Sequence, residues 1–147
     1  MKLFILSIGD KMPTWIQKGF EEFQKRIPKE CELKLIEIPS RKPGKNTLQD
    51  FIKKIPPKSF TIACDEHGET WSTHTLSKNL EKWKMSGKNI VFIIGGADGL
   101  DSSILNEVDQ CWSLSHLTFP HMIVRILVAE QLYRALSILS GHPYHRE

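Results

Sequence analysis

The sequence predicts an α/β fold with a mostly parallel sheet of five strands. Five short apolar segments alternate with amphipathic, helix-like segments along the 147 residues, and this order is typical of a parallel sheet covered by helices. The fourth apolar segment, Val91–Ile94, has no polar residue, which fits a strand buried on both faces. We therefore expect a single domain over residues 1–147, long enough to bury its own core.

The first half of the chain is predicted to contain three strands and two helices. Apolar runs predict the strands at Met1–Ile8, Leu33–Ile38 and Phe60–Cys64. The first helix is predicted over Thr14–Ile27, because apolar residues recur there at spacings of three to four, and the second over Thr47–Ile55. Prolines directly after both helices end them. A turn around Gly68 is expected over Asp65–Thr70.

The second half is predicted to contain three helices and two strands. In chain order they are a helix at Ser72–Met85, a strand at Ile90–Ile94, a short helix at Ser102–Val108, a strand at Cys111–Leu114 and a long helix at Met122–Ser140. Asp101 suits the N-cap of the short helix, and Gly141 suits the end of the long one.

Composition and charge exclude several classes of protein. The chain has 20 basic and 17 acidic residues and a net charge of +3, which does not by itself indicate a nucleic-acid partner. Its three cysteines lie far apart without a CxxC pair, so we expect neither disulfides nor a zinc site. The apolar stretch Ile123–Leu139 contains three charged residues, which argues against a membrane span. A soluble cytoplasmic protein without a metal is the expectation.

The glycines that follow the fourth strand form the first candidate site. Gly95, Gly96 and Gly99 could let a ligand approach the backbone at the carboxyl end of the sheet, or they could form a tight turn with no ligand. The stretch GGADG is not a dinucleotide fingerprint, because it lacks the GxGxxG pattern and follows the fourth strand. A P-loop, a GxSxG elbow and an HExxH motif do not occur in the sequence.

Two polar segments are weaker candidates. The loop Pro39–Asn46 contains Arg41, Lys42 and Lys45, and it is either a solvated loop or an arm that contacts phosphates. His142 and His145 could share a metal only as a minority interpretation, since no carboxylate or cysteine cluster accompanies them.

Four segments together carry a resemblance to a known family. They are KLFILSIGDKMPTWIQKGFEEF, GGADGL, WSLSHLTFPHMIVRILVAEQLYRAL and HPYHRE. On these segments the chain resembles the ribosomal RNA large-subunit pseudouridine N3-methyltransferases, the RlmH family, which belong to the SPOUT class of S-adenosylmethionine enzymes. The resemblance covers essentially the whole chain.

The resemblance implies a fold and a cofactor site. The fold would be a SPOUT-type α/β sandwich whose C-terminal part forms a trefoil knot, in a homodimer with its active site at the subunit interface. The cofactor would be S-adenosyl-L-methionine. Its implied binding residues are Cys64, Gly95, Leu114, Ser115, His116, Leu117, Thr118 and Phe119. At Cys64 the family has a larger aliphatic residue, and at His116 a backbone contact is expected.

The implied reaction is methylation of N3 of a pseudouridine in a 23S rRNA stem-loop at the ribosomal subunit interface, on assembled ribosomes. The tail would supply Tyr144 to stack on the base, His145 to accept the proton and Arg146 to hold a phosphate or the base oxygens. The tail and Pro39–Asn46 are the expected RNA surfaces, with Arg125 as a second-rank contact for RNA or a partner subunit.

Two alternatives from other classes remain. One is a ribosome-binding module that has kept the fold without catalysis, which cofactor-binding calorimetry would separate from an enzyme. The other is an oxidoreductase of flavodoxin type, which predicts a coloured protein or turnover of reduced nicotinamide.

Overall fold

The computed structural model describes residues 1–9, 11–41 and 46–146. It contains a five-stranded sheet in which every pairing is parallel, with the strand order β2-β1-β4-β3-β5. The strands are β1 (Leu3–Ile8), β2 (Leu33–Ile38), β3 (Ser59–Thr70), β4 (Asn89–Ile94) and β5 (Gln110–Ser113). The predicted α/β class with a parallel sheet is confirmed.

Among the described residues, five α-helices cover the two faces of this sheet. They are α1 (Thr14–Gln24), α2 (Leu48–Ile52), α3 (Thr73–Ser86), α4 (Ser102–Leu105) and α5 (His121–Ser140). Helix α5 packs between α1 and α3 on one face, while α2 and α4 lie on the other. Each strand therefore buries side chains in both directions, as its apolar composition predicts.

Alternation along β1 shows how the two cores are separated. Leu3 and Ile5 join the larger core with α1, α3 and α5. Phe4, Leu6 and Ile8 face the smaller core with α2 and α4. Because successive strand residues point to opposite faces, one short strand contributes to both cores.

Strand β3 differs most from its prediction. The expected turn at Asp65–Thr70 is wrong, because β3 continues to Thr70 and pairs with β5 a second time after an irregularity between Cys64 and Glu69. Gly68 explains the misassignment. A Cβ on Gly68 would lie 2.6 Å from the carbonyl carbon of Cys111, so this glycine allows a close approach of two strands and does not mark a turn.

Helix termini follow local chemistry and shorten several predicted helices. The side chains of Ser72 and Asp101 cap α3 and α4, accepting from the amides of Thr75 at 3.0 Å and Ser103 at 3.2 Å. Helix α1 ends at Gln24, three residues before its predicted end, yet Ile27 stays buried. Gly141 ends α5 with a φ of 74°, as predicted.

Arg125 is buried beneath the sheet edge at which β1 and β2 end. Its guanidinium donates to Ser7 Oγ at 3.0 Å and to Glu37 Oε2 at 2.9 Å, and its side chain has no exposure to solvent. The expectation that Arg125 contacts RNA or a partner subunit is therefore wrong, because its charge is used to join α5 to the ends of two strands.

Across residues 1–9, 11–41 and 46–146, no helix combines the length and apolarity needed to cross a bilayer. The same residues contain no group of three or more histidine, cysteine or acidic side chains that could bind a metal ion.

Candidate functional site

A cavity of about 350 Å³ opens at the carboxyl ends of β4 and β5, beside the point where the pairing of β3 with β4 stops. Its walls are the middle of β3, the glycine turn after β4, the loop after β5 and the first turn of α5. This edge is where open α/β sheets bind ligands, and the volume is within the range of small-molecule sites.

The glycine turn forms one wall and depends on its glycines for two different reasons. A Cβ on Gly95 would lie 2.7 Å from the carbonyl carbon of Gly99, so Gly95 is needed for space. Gly99 has a φ of 75°, so it is needed for conformation. The Gly99 amide donates to the Gly96 carbonyl at 3.0 Å and closes the turn.

The loop after β5 forms the opposite wall and is ordered by its own hydroxyl groups. Ser113 Oγ donates to the Ser115 carbonyl at 2.9 Å, and Ser115 Oγ accepts from the Leu117 amide at 3.0 Å. Thr118 Oγ1 donates to Glu66 Oε2 at 3.3 Å, which connects this loop to the middle of β3.

Seven of the eight residues implied as cofactor contacts line this cavity. They are Cys64, Gly95, Leu114, Ser115, Leu117, Thr118 and Phe119. The eighth, His116, is exposed and is not among the lining residues. A set taken from three separate segments of the sequence thus meets around a single cavity.

Cys64 contributes an uncharged thiol to this cavity. Burial raises the pKa of the Cys64 thiol to about 12, so it stays protonated at neutral pH and behaves as a small apolar group. This suits a wall against an apolar part of a ligand.

The charged side chains of the cavity have one sign. Asp65 and Glu66 in the middle of β3 and Asp98 in the glycine turn line it, and no lysine or arginine is among its described lining residues. A cavity of this character favours a cationic or neutral ligand and disfavours one that carries phosphates.

His121 is a lining residue that the sequence analysis did not select. It opens α5 immediately after Pro120 and faces the cavity together with Val124. Burial, and next the charge of Arg125, lower the pKa of the His121 imidazole from its ordinary value. The sequence signal was present in the PH..VR spacing, which places His121 and Arg125 on one face of a helix.

The predicted catalytic tail lies elsewhere on the same chain. Tyr144 Oη donates to Glu130 Oε2 at 2.9 Å, and His145 Nδ1 lies 3.2 Å from Arg134 Nη1, so both pack on the middle of α5. Arg146 is exposed. None of these three residues lines the cavity of its own chain, and Glu147 lies outside the described residues.

The second predicted RNA surface is described only in part. Arg41 makes a two-pronged contact with Asp50 at 2.6 and 2.7 Å, and this contact, with the amide of Thr47, holds the pKa of the Asp50 carboxyl well below its usual range. The remaining basic positions, Lys42 and Lys45, lie outside the described residues.

Comparisons with known proteins agree with this architecture. The family described as "Predicted SPOUT methyltransferase" matches residues 1–145. The chain is 44% identical to the ribosomal RNA large subunit methyltransferase H of Saccharophagus degradans, covering 99% of this chain and 100% of that protein. It is 40% identical to the protein of the same name from Nitrosococcus oceani, over 99% of both.

Solved structures show the same fold at much lower identity. The tRNA (m1G37) methyltransferase of Aquifex aeolicus superposes with a TM-score of 0.59 at 19% identity, covering 100% of this chain and 75% of that one. A probable methylase family protein from Haemophilus influenzae gives a TM-score of 0.62 at 10% identity, covering 99% and 70%.

The fold, the cavity at its carboxyl edge and these matches define a methyltransferase of the SPOUT class. Within that class, the chain belongs to the family of the ribosomal RNA large subunit methyltransferase H proteins. The resemblance identified from the sequence is thereby confirmed. The trefoil knot that it implies stays a prediction.

Proposed function

We propose that this protein uses S-adenosyl-L-methionine to methylate N3 of a pseudouridine in a 23S rRNA stem-loop at the ribosomal subunit interface. The proposal depends above all on the cavity, whose walls are contributed by Cys64, the Gly95 turn and the Leu114–Phe119 loop. Curated relatives with this family's name are ribosomal RNA methyltransferases, which supports an rRNA substrate.

The residues present fit the proposed cofactor. S-adenosylmethionine carries a sulfonium and an ammonium and no phosphate, which matches a cavity bordered by Asp65, Glu66 and Asp98 without a lysine or arginine among its described lining residues. Leu114 and Phe119 would cover the adenine faces, and backbone groups of the loop would pair with its edges. Because Gly95 has no side chain, the glycine turn is narrow enough to form one wall of the cavity. The bound cofactor would supply an electrophilic methyl group.

This chain's contribution to methyl transfer is alignment of the acceptor base and removal of its proton. Tyr144, His145 and Arg146 are our proposed contacts to the RNA. Because Tyr144 and His145 pack against α5 and none of the three lines the cavity of its own chain, the proposal requires a homodimer in which the tail of one subunit serves the cavity of the other.

An assembled ribosome is the proposed substrate because the chain itself offers little charge. A net charge of +3 implies few phosphate contacts and weak affinity for free RNA. Recognition of the shape of a preformed ribosomal surface would supply the remaining affinity. A ribosomal substrate would place the protein in the cytoplasm.

The decisive experiment supplies labelled S-adenosylmethionine together with intact ribosomes, and separately with deproteinised rRNA, and maps the label by mass spectrometry. We expect label on N3 of one pseudouridine, and far more of it with ribosomes. Label absent from both samples, or on a different base, would refute the proposal. No binding of S-adenosylmethionine in calorimetry, even at high cofactor concentration, would instead favour a non-catalytic ribosome-binding module.

A further inference from the structure

The PH..VR segment at the start of α5 places an imidazole against the cavity. His121 and Val124 line the cavity, whereas Arg125, four residues after His121, points under the sheet edge towards Ser7 and Glu37. The first turn of α5 thus places the His121 imidazole at the cavity and the Arg125 guanidinium under the sheet.

The residue that follows β1 lies beside the first turn of α5. A Cβ on Gly9 would lie 3.9 Å from His121 Nε2 and 2.7 Å from Met122 Cε. Gly9 therefore allows the end of β1 and the start of α5 to approach closely, with the imidazole next to Gly9 and lining the cavity.

We infer that His121 is a catalytic residue, which accepts the proton released by the nitrogen that receives the methyl group. This inference rests on the proposed function. In the transfer, the sulfonium C–S bond breaks with its electron pair left on sulfur, the nitrogen forms the new N–C bond, and its proton passes to the unprotonated ring nitrogen of His121. The imidazolium then returns that proton to solvent.

The electrostatic surroundings suit this role. Arg125 lies on the same helix, with Glu37 bound to the far side of its guanidinium. Asp65 and Glu66 from β3 and Asp98 from the glycine turn border the cavity in front. Burial together with the charge of Arg125 lowers the pKa of His121, so the ring is neutral at physiological pH and able to take up a proton.

His121 differs from His145 in its location. His145 reaches a cavity only if a second subunit presents the tail, while His121 lies in the cavity wall of its own chain. The two assignments therefore give different predictions for single-residue variants.

The first test is the His121→Asn variant, with His67→Asn as the matched control, because the His67 side chain is 83% exposed and does not line the cavity. Single-turnover methylation of ribosomes should fall by about 100-fold in His121→Asn, the usual scale for loss of a general base. The dissociation constant for S-adenosylmethionine, from calorimetry, should change by less than about threefold. His67→Asn should retain the wild-type rate.

The second test measures the titration of the His121 imidazole in the wild-type protein. The pKa of His121, from NMR of ¹³C-histidine-labelled protein saturated with S-adenosylmethionine, should lie below its ordinary value of 6.5. It should also coincide with the acidic limb of the wild-type pH–rate profile. His121→Asn should abolish that limb.

Several results would overturn the inference. These are a His121→Asn rate within about threefold of wild type, a loss of rate explained entirely by lost cofactor binding, or an NMR pKa that does not match the kinetic limb. If His145→Asn abolished the limb and His121→Asn did not, the proton acceptor would be His145. Failure of the wild-type protein to methylate ribosomes at any pH would count against the proposed function, and a measured His121 pKa at or above 6.5 would count against His121 alone.

Discussion

The hydroxyl of Tyr144 lies 2.9 Å from Oε2 of Glu130, fourteen residues earlier on α5. The same carboxylate accepts from Arg134 Nε at 2.9 Å, and the Arg134 guanidinium lies over the Tyr144 ring, 4.7 Å from its centroid. The C-terminal tail is thus folded back on the longest helix, in a defined conformation that could be presented to another molecule.

Tyr144→Phe should loosen this tail without harming the fold. Loss of one hydroxyl contact at a half-buried site should cost about 1 kcal/mol or less in the free energy of unfolding. If the tail serves RNA, the KM for ribosomes should rise while the dissociation constant for S-adenosylmethionine stays at its wild-type value. Tyr133→Phe, on the same helix, is the control. Equal effects of both variants on KM would show that the Tyr144 hydroxyl has no special role.

Arg125→Met should destabilise the protein strongly. The substitution removes a fully buried guanidinium and leaves Ser7 Oγ and the Ile8 carbonyl without that donor. We expect a loss of about 3 kcal/mol in the free energy of unfolding, because removing one member of a buried pair leaves its partners without a hydrogen bond. Glu37 can bind water instead, which limits the loss. Urea unfolding monitored by circular dichroism measures this change in the free energy of unfolding. Arg134→Met, whose side chain is 26% exposed, should lose clearly less. A smaller loss for Arg125→Met than for Arg134→Met would contradict the structural role given to Arg125.

Gly95→Ala and Gly99→Ala should fail in different ways. At Gly95 the new methyl would meet the backbone of Gly99 at 2.7 Å, so the turn must open, and cofactor affinity should fall by about tenfold or more, equivalent to ~1.4 kcal/mol. At Gly99 the methyl meets nothing within 4 Å, but the positive φ should cost about 1 kcal/mol of stability. Calorimetry and thermal unfolding separate the two effects. Equal cofactor affinities in the two variants would argue against Gly95 as part of the wall.

Cys64 should be replaceable by an aliphatic residue but not by a large aromatic one. Cys64→Val keeps a small apolar wall, so cofactor affinity should stay near wild type. Cys64→Phe would fill part of a cavity of about 350 Å³ and should weaken binding by about tenfold or more. Because the pKa of this thiol is raised to about 12, iodoacetamide should modify Cys64 at pH 8 far more slowly in folded than in unfolded protein. Fast modification of Cys64 in the folded protein would show that solvent and reagent reach the thiol, contrary to an apolar wall at this position.

Local sequence signals predicted most of the fold because each has a direct physical cause. The continuous apolar run Val91–Ile94 indicated a strand buried on both faces, and capping by Asp101 and termination by Gly141 occur where predicted. The second half of β3 could not be predicted, because it depends on Gly68 lying against the backbone of Cys111, a contact between segments 43 positions apart in the printed sequence.

The candidate site shows the same division. The resemblance grouped Cys64, Gly95 and Leu114–Phe119, and they border a single cavity. Sequence reasoning missed His121 because the PH..VR spacing places it on one helix face with Arg125 but does not say what that face meets. The structure brings the first turn of α5 to the cavity formed by the glycine turn and the loop after β5. Arg125 was misjudged for the opposite reason, since a charged residue is normally exposed unless a partner such as Glu37 is supplied by a distant strand.

The strand order has a consequence for synthesis on the ribosome. β1 is an interior strand, yet one of its two neighbours, β4, begins only at Asn89, and the cavity walls extend to Val124 on α5. An emerging chain therefore holds an incomplete sheet with an open edge until most of it has been translated, and such long-range pairing is slow to form. The cofactor cavity is complete only when the start of α5 has emerged, so ligand binding can stabilise the nearly finished chain but cannot guide its earlier folding.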